Sequence, residues 1–121
     1  MGTSPKLKPL VWVGSSKADL MRMPQRVVRK FGFALYTVQA GRRHLDAKPL
    51  QGFGSADVLE IVEDWQGDAF RAVYTVRFSD AIFVLHVFQK KAKRGIATPK
   101  TDIDLIKTRL KAAREIAGGM R

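Results

Sequence analysis

Two β-rich runs follow one another in residues 70–93, FRAVYTVRFSDAIFVLHVFQKKAK, with only Ser79 and Asp80 to turn the chain between them. Residues 70–78 and 81–88 are rich in Val, Phe, Tyr, Thr and Ile, side chains that suit a pleated, half-buried surface, so a β-hairpin is expected. With a two-residue turn, Phe78 lies opposite Ala81, Arg71 opposite Phe88 and Ala69 opposite Lys90. Side chains alternate between faces, so Arg71, His86, Phe88 and Lys90 then share one side of the sheet, and Tyr74 takes the other. A three-residue turn reverses that parity.

Arg71 is the most informative residue of the pair of strands. An arginine within an apolar strand is costly to bury unless it meets an anion or reaches water. The bland reading is an edge-facing arginine whose head snorkels to solvent. The second strand then runs into Lys90, Lys91, Lys93 and Arg94, four cations in five residues. Such a cluster repels itself until an anion arrives.

The rest of the chain builds around this hairpin. Leu10, Val11, Trp12 and Val13 read as a first strand, which Pro9 confines to an edge or a strand start and Gly14 ends. Ser16 with Asp19 resembles a capping box opening a short helix. Pro24 breaks or restarts that helix, after which Val27, Phe31, Ala34, Leu35 and Val38 form one buried helical stripe. Residues 42–55 read as loop. Residues 57–65 alternate as a second strand, with Leu59, Ile61 and Trp65 facing one way and Glu60, Val62 and Asp64 the other. Gln66, Gly67 and Asp68 turn it into the hairpin, completing an antiparallel meander of three strands. Thr101 with Asp104 repeats the capping-box pattern, and Ile103, Ile106, Leu110 and Ala113 mark a final helix to about Ile116.

The order is β-α-α-β-β-β-α, an α+β fold, and 121 residues with 45% hydrophobic content are expected to make a single domain over 1–121. Residues 1–6 and 117–121 are expected to be flexible ends. The chain has no cysteine, which excludes disulfides and thiolate chemistry and fits a reducing cytoplasm. His44 and His86 show no ligand spacing, so no metal is expected. No stretch approaches a membrane span. The net charge of +11 points to nucleic acid, a ribosomal surface or an acidic protein as partner. It is uneven: residues 57–68 carry five acidic and no basic side chains, residues 90–114 nine basic and two acidic. A charge run is often only a solvated face, and the final helix allows that reading.

With this order come FRAVY on the third strand, LHVFQKK at the end of the fourth, and a Thr-Pro pair before the final helix. The combination resembles the RelE/HigB-like toxin superfamily, and within it the phage Gp49-like branch, over roughly residues 10–113. The resemblance implies the RelE/ParE-like fold, a small twisted sheet dominated by antiparallel pairing, with an N-terminal helical hairpin and a C-terminal helix. It also implies a type II toxin that enters the ribosome, cuts mRNA without a metal or other cofactor, and is held inactive by a cognate antitoxin. In that chemistry the RNA 2'-hydroxyl attacks the adjacent phosphate, leaving a cyclic phosphate and a free 5'-hydroxyl.

Carried over by position, Arg71 matches the arginine that stabilises charge growing on the phosphate, and Lys91 the cation after the fourth strand. Lys90 joins them as a catalytic candidate. Lys93, Arg94, His86 and Phe88 are the substrate-binding candidates, and Arg26, Arg29 and the charges of residues 107–114 a nonspecific footing on rRNA. The chain departs from well-studied members in two places. The second strand has Asp57, Glu60, Glu63 and Asp64 where they carry lysines, and Ile96, Ala97 and Thr98 stand where some carry a tyrosine. The group that removes the 2'-hydroxyl proton is therefore open. Tyr74 lies on the wrong face, and a lone histidine on an apolar strand is more often a satisfied core residue. Two other readings remain: a ParE-like toxin that poisons DNA gyrase without cutting, favoured by the missing lysines and tyrosine, and a noncatalytic nucleic-acid-binding module, disfavoured by a near absence of exposed aromatic side chains.

Overall fold

Pro24 sets the architecture of the N-terminal half. In the computed structural model, which describes residues 6–90 and 98–120, strand β1 (Leu10–Trp12) leads into helix α1 (Ser16–Met21), and Pro24 separates it from α2 (Gln25–Gln39). The expected stripe of α2 is the buried one: Val27, Phe31, Ala34, Leu35 and Val38 all face the core. A two-residue strand β2 (Lys48–Pro49) precedes β3 (Val58–Trp65), β4 (Asp68–Thr75) and β5 (Ile82–Lys90), and α3 (Lys100–Gly119) follows. The sheet order is β1-β5-β4-β3-β2, with β1 parallel to β5 and the other neighbours antiparallel.

Two apolar layers sandwich the sheet. On one side α2 packs against Leu59, Ile61, Phe70, Ala72, Tyr74 and Val84. On the other, Ile106, Ala113 and Ala117 of α3 pack against Val58, Val73, Phe83 and Leu85. This is the expected α+β arrangement. Three details differ from it. Residues 48–49, read as loop, pair with Leu59 and Glu60 as a short edge strand. Neither capping box forms: α2 and α3 start behind Pro24 and Pro99, no side chain caps any of the three helices, and Ser16 instead donates from its buried hydroxyl to the Val84 carbonyl at 3.2 Å. A proline in extended geometry presets the entry to a helix without needing a capping hydroxyl. Finally, α3 runs past Ile116 to Gly119.

The hairpin keeps its expected pairs by a different route. Arg71 is opposite Phe88 and Ala69 opposite Lys90, yet β4 ends at Thr75 and the connection spans residues 76–81. Near the turn Thr75 pairs with Phe83 and Tyr74 with Val84, one residue out of step with Val73 and His86. Leu85 is the extra residue, a β-bulge. Leu85 and His86 therefore both face α3, while Val84 and Val87 face α2. The turn is longer than two residues, and the bulge restores the parity that a two-residue turn would have given.

Gly14, which ends β1, has φ +58, and a Cβ there would lie 2.8 Å from Arg109 Nε. That guanidinium is engaged, donating to the Leu85 carbonyl at 3.0 Å and the Ser15 hydroxyl at 3.0 Å. Gly14→Ala combines left-handed strain with loss of these bonds, and is expected to cost about 2–3 kcal/mol. Urea unfolding of the two chains checks it, and an unchanged midpoint would contradict this account of the packing.

Candidate active site

Strand parity brings Arg71, His86, Phe88 and Lys90 to the α3 side of the sheet, at the end where β4 starts and β5 finishes. Arg71 is buried, 8% exposed. Its Nη1 donates to Glu60 Oε2 at 2.9 Å and to Thr98 Oγ1 at 3.3 Å, and the Thr98 hydroxyl lies 3.5 Å from the same carboxylate oxygen. Glu60 and Arg71 are thus an ion pair in a confined setting, with side chains 17% and 10% exposed. Attraction is strong there because solvent screening is weak. The edge-snorkelling alternative for Arg71 does not apply.

The position of Glu60 follows from the β3–β4 turn. Trp65 pairs with Asp68, so only Gln66 and Gly67 turn the chain, both with positive φ, 51° and 85°. A two-residue turn of this hand matches the strand twist. It places Glu60 opposite Val73 and Val62 opposite Arg71, making Glu60 the diagonal neighbour of Arg71 on the same face.

Lys90 is buried as well. Desolvation, and after it the positive charge of Arg71, hold its ammonium below the ordinary lysine range, while Glu60 and Asp102 pull the other way. A lysine so placed gives up its proton more readily than one in water. Lys91, Lys93 and Arg94, the other expected cations, lie outside the described residues.

His86 has both ring nitrogens engaged. Nε2 is 2.8 Å from Asp102 Oδ1 of α3, Nδ1 is 3.4 Å from Arg109 Nη1, and Phe88 stacks on the ring at 4.4 Å between centroids. Burial lowers its pKa; the hydrogen bond and charge of Asp102 oppose this, Arg109 adds to it and Asp19 opposes it. As pH falls below about 6.5, the unfolded chain takes up a proton on this residue before the folded one does. Stability is therefore full above the unfolded value and declines as pH falls toward the folded one. Urea midpoints measured from pH 7.5 down to 5 are expected to drop for the wild type and to flatten in His86→Gln. Equal slopes would remove the assignment.

Much of the outlying positive charge is already paired. Arg26 lies 3.8 Å from Glu63 and 4.7 Å over the Trp65 ring, and Lys30 bonds Asp46 at 2.6 Å. Arg109 is drawn inward as described. Arg29, Lys107, Lys111 and Arg114 are exposed on the surface. Exposed aromatics are not absent: Phe33 is 65% and Tyr36 50% exposed on the outer side of α2. Hydrophobic periodicity marks the buried side of α2, and these two lie off that stripe.

No helix among the described residues is long and apolar enough to cross a membrane. No curated protein matches the sequence. Among solved structures, the toxin–antitoxin complex RelBE2 from Mycobacterium tuberculosis is similar, with a TM-score of 0.48 and 14% identity over 74% of this chain and 98% of that one. The family described as phage derived protein Gp49-like matches residues 18–111. That span is most of the chain and contains every described strand of the hairpin together with Glu60, Arg71, His86 and Lys90, so the protein belongs to the phage-derived Gp49-like family.

Proposed function

We propose that the chain is the toxin of a type II toxin–antitoxin pair and that it cuts translated mRNA at the ribosome, without a metal, in the cytoplasm. The observation that carries this reading is the grouping of Glu60, Arg71 and Lys90 on one face of the sheet. Each has a role in 2'-hydroxyl attack. Glu60, oriented by Arg71 and Thr98, takes the 2'-hydroxyl proton. Arg71 neutralises charge gathering on the phosphate as the 2'-oxygen bonds to phosphorus. Lys90, with its lowered proton affinity, donates a proton to the departing 5'-oxygen. The products are a 2',3'-cyclic phosphate and a 5'-hydroxyl, and one proton has moved from Lys90 to Glu60. Phe88, stacked on His86, flanks this centre as a surface for a base.

The antitoxin partner is expected to be acidic where it meets this face, since charge complementarity sets both encounter rate and specificity. The test is primer extension on mRNA from cells briefly expressing the chain alone, compared with Lys90→Met, which removes the ammonium and keeps the stem. Fresh ends inside translated codons with the wild type, reduced about 100-fold or more in the variant, are expected. Growth arrest without cuts would overturn the nuclease. That result would favour gyrase poisoning, which one observation supports: the Arg71 guanidinium is already engaged by Glu60. The exposed Phe33 and Tyr36 give the noncatalytic nucleic-acid-binding reading a surface for stacking bases.

A further inference from the structure

Arg29, Phe33, Tyr36 and Ala40 recur at i, i+4, i+7 and i+11, so they form one stripe on the side of α2 turned away from the sheet. The chain beyond the helix folds back beside that stripe. Gly41 and Arg42 donate their backbone N–H groups to the Val38 and Thr37 carbonyls at 2.9 and 3.0 Å, and Ala47 closes a turn on the His44 carbonyl at 3.1 Å. Lys30 fastens this turn to α2 through Asp46 at 2.6 Å, and the His44 ring meets Phe33 edge-on, with 6.3 Å between centroids. Leu45 stands on the crest of the turn, 99% exposed. A lone exposed leucine is common, but one fixed beside two exposed aromatic rings makes an apolar patch.

Helix and turn enclose a groove of about 540 Å³. Phe33, Tyr36, Ala40 and Leu45 give it apolar walls, Arg42 and Arg43 give it positive charge, and no acidic side chain lines it. Charge selects among occupants. A second copy of this chain would bring the same arginines to face these. Single-stranded RNA would suit the arginines, but Phe33 and His44 meet at 81° and so do not form a platform for successive bases. Gly32 points to a helix instead. It lies beside Phe33 and one turn before Tyr36, and a Cβ added there would meet nothing. The glycine weakens α2 without a packing gain in this chain, and it leaves the backbone bare for a close neighbour.

We propose that this groove docks an amphipathic helix of an acidic protein partner. Apolar side chains at i, i+4 and i+7 of that helix enter between Phe33, Tyr36 and Leu45, and flanking carboxylates meet Arg42, Arg43 and Arg29. The groove is on the α2 side of the sheet, so a partner seated in it leaves the face of Arg71 and Lys90 open. Docking here is independent of whether that face cuts RNA.

The probe is a synthetic helical peptide of about 20 residues, with Leu at i, i+4 and i+7, Glu on both flanks and Ala elsewhere. Its control carries Lys in place of every Glu. Each is titrated into the full-length chain, with the amide signals of Phe33, Tyr36, Ala40 and Leu45 followed by NMR. Saturable binding of the acidic peptide is expected, about tenfold or more tighter than the control, with shifts centred on those residues. Leu45→Ser and Tyr36→Ala are each expected to weaken it about tenfold while leaving the urea midpoint unchanged, since both side chains are exposed. Arg42→Ala is expected to erode the preference for the acidic peptide. Equal binding of the two peptides, no saturation, shifts centred elsewhere, or wild-type affinity in Leu45→Ser would each overturn the inference. Displacement of the peptide by a short oligouridine at equal concentration would give the groove to RNA, and a dimer of the chain alone that Leu45→Ser dissolves would give it to a second copy; either result overturns the proposal.

Discussion

Cleavage by the Arg71→Ala chain is expected to fall by about 10²- to 10³-fold, the range that follows removal of one preorganised donor to a developing oxyanion. The fold will respond too. Glu60 is 17% exposed and would lose the guanidinium that pairs with it, keeping the Thr98 hydroxyl and the nearby charge of Lys90. Breaking one side of a buried pair costs about 3–5 kcal/mol, because a charge is left behind without its counterion. Truncating Arg71 is therefore expected to carry a structural cost of its own beside the loss of chemistry. Arg71→Ala combined with Glu60→Gln removes both charges and is expected to recover most of that stability while remaining inactive. Thermal midpoints of the single and double variants, read beside primer extension, separate the two effects. A double variant that cleaves like wild type would place the site elsewhere.

Glu60→Gln alone makes the opposite bargain. The proposed proton acceptor is lost and the positive charge remains, now without its carboxylate. Cleavage is expected to drop by about 10²- to 10⁴-fold, the usual contribution of a positioned base. RNA affinity is expected to rise, because a phosphate meets less competition at Arg71, and to depend more steeply on salt. Filter binding of a short RNA across a salt series, paired with single-turnover cleavage, reads both. Weaker binding in Glu60→Gln would show that the carboxylate holds Arg71 in shape for phosphate rather than competing with it.

The layers of the fold were readable because hydrophobic periodicity determines them. Val27, Phe31, Ala34, Leu35 and Val38 could only be one helical face, and Leu59, Ile61 and Trp65 only one strand face. Half of the site followed from parity alone, which put Arg71, His86, Phe88 and Lys90 together. In the sequence Glu60 stands out only as an acidic residue where relatives carry a lysine, and its pairing with Arg71 depends on strand register. The signal was available in the two residues Gln66 and Gly67. A tight turn there fixes the register that sets Glu60 diagonal to Arg71. Asp102 and Arg109 were beyond reach, since their meeting with His86 depends on how α3 is rotated against the sheet, and periodicity leaves that rotation loose by a residue or so. Cap patterns misled for a local reason: a preceding proline did the work of starting the helix.

The bulge at Leu85 separates two parts of the hairpin that would otherwise be bound to one another. Residues before it answer to the turn, and residues after it answer to the site. The connection over residues 76–81 is thereby open to change in length and composition without rotating Lys90 away from Arg71, so long as Leu85 absorbs the phase. Deleting that one residue would draw the ladder into regular pairing, with His86 still opposite Val73 and Phe88 still opposite Arg71. The cost would fall on the layer beneath α3, which would lose the Leu85 side chain from its packing and the carbonyl that holds Arg109.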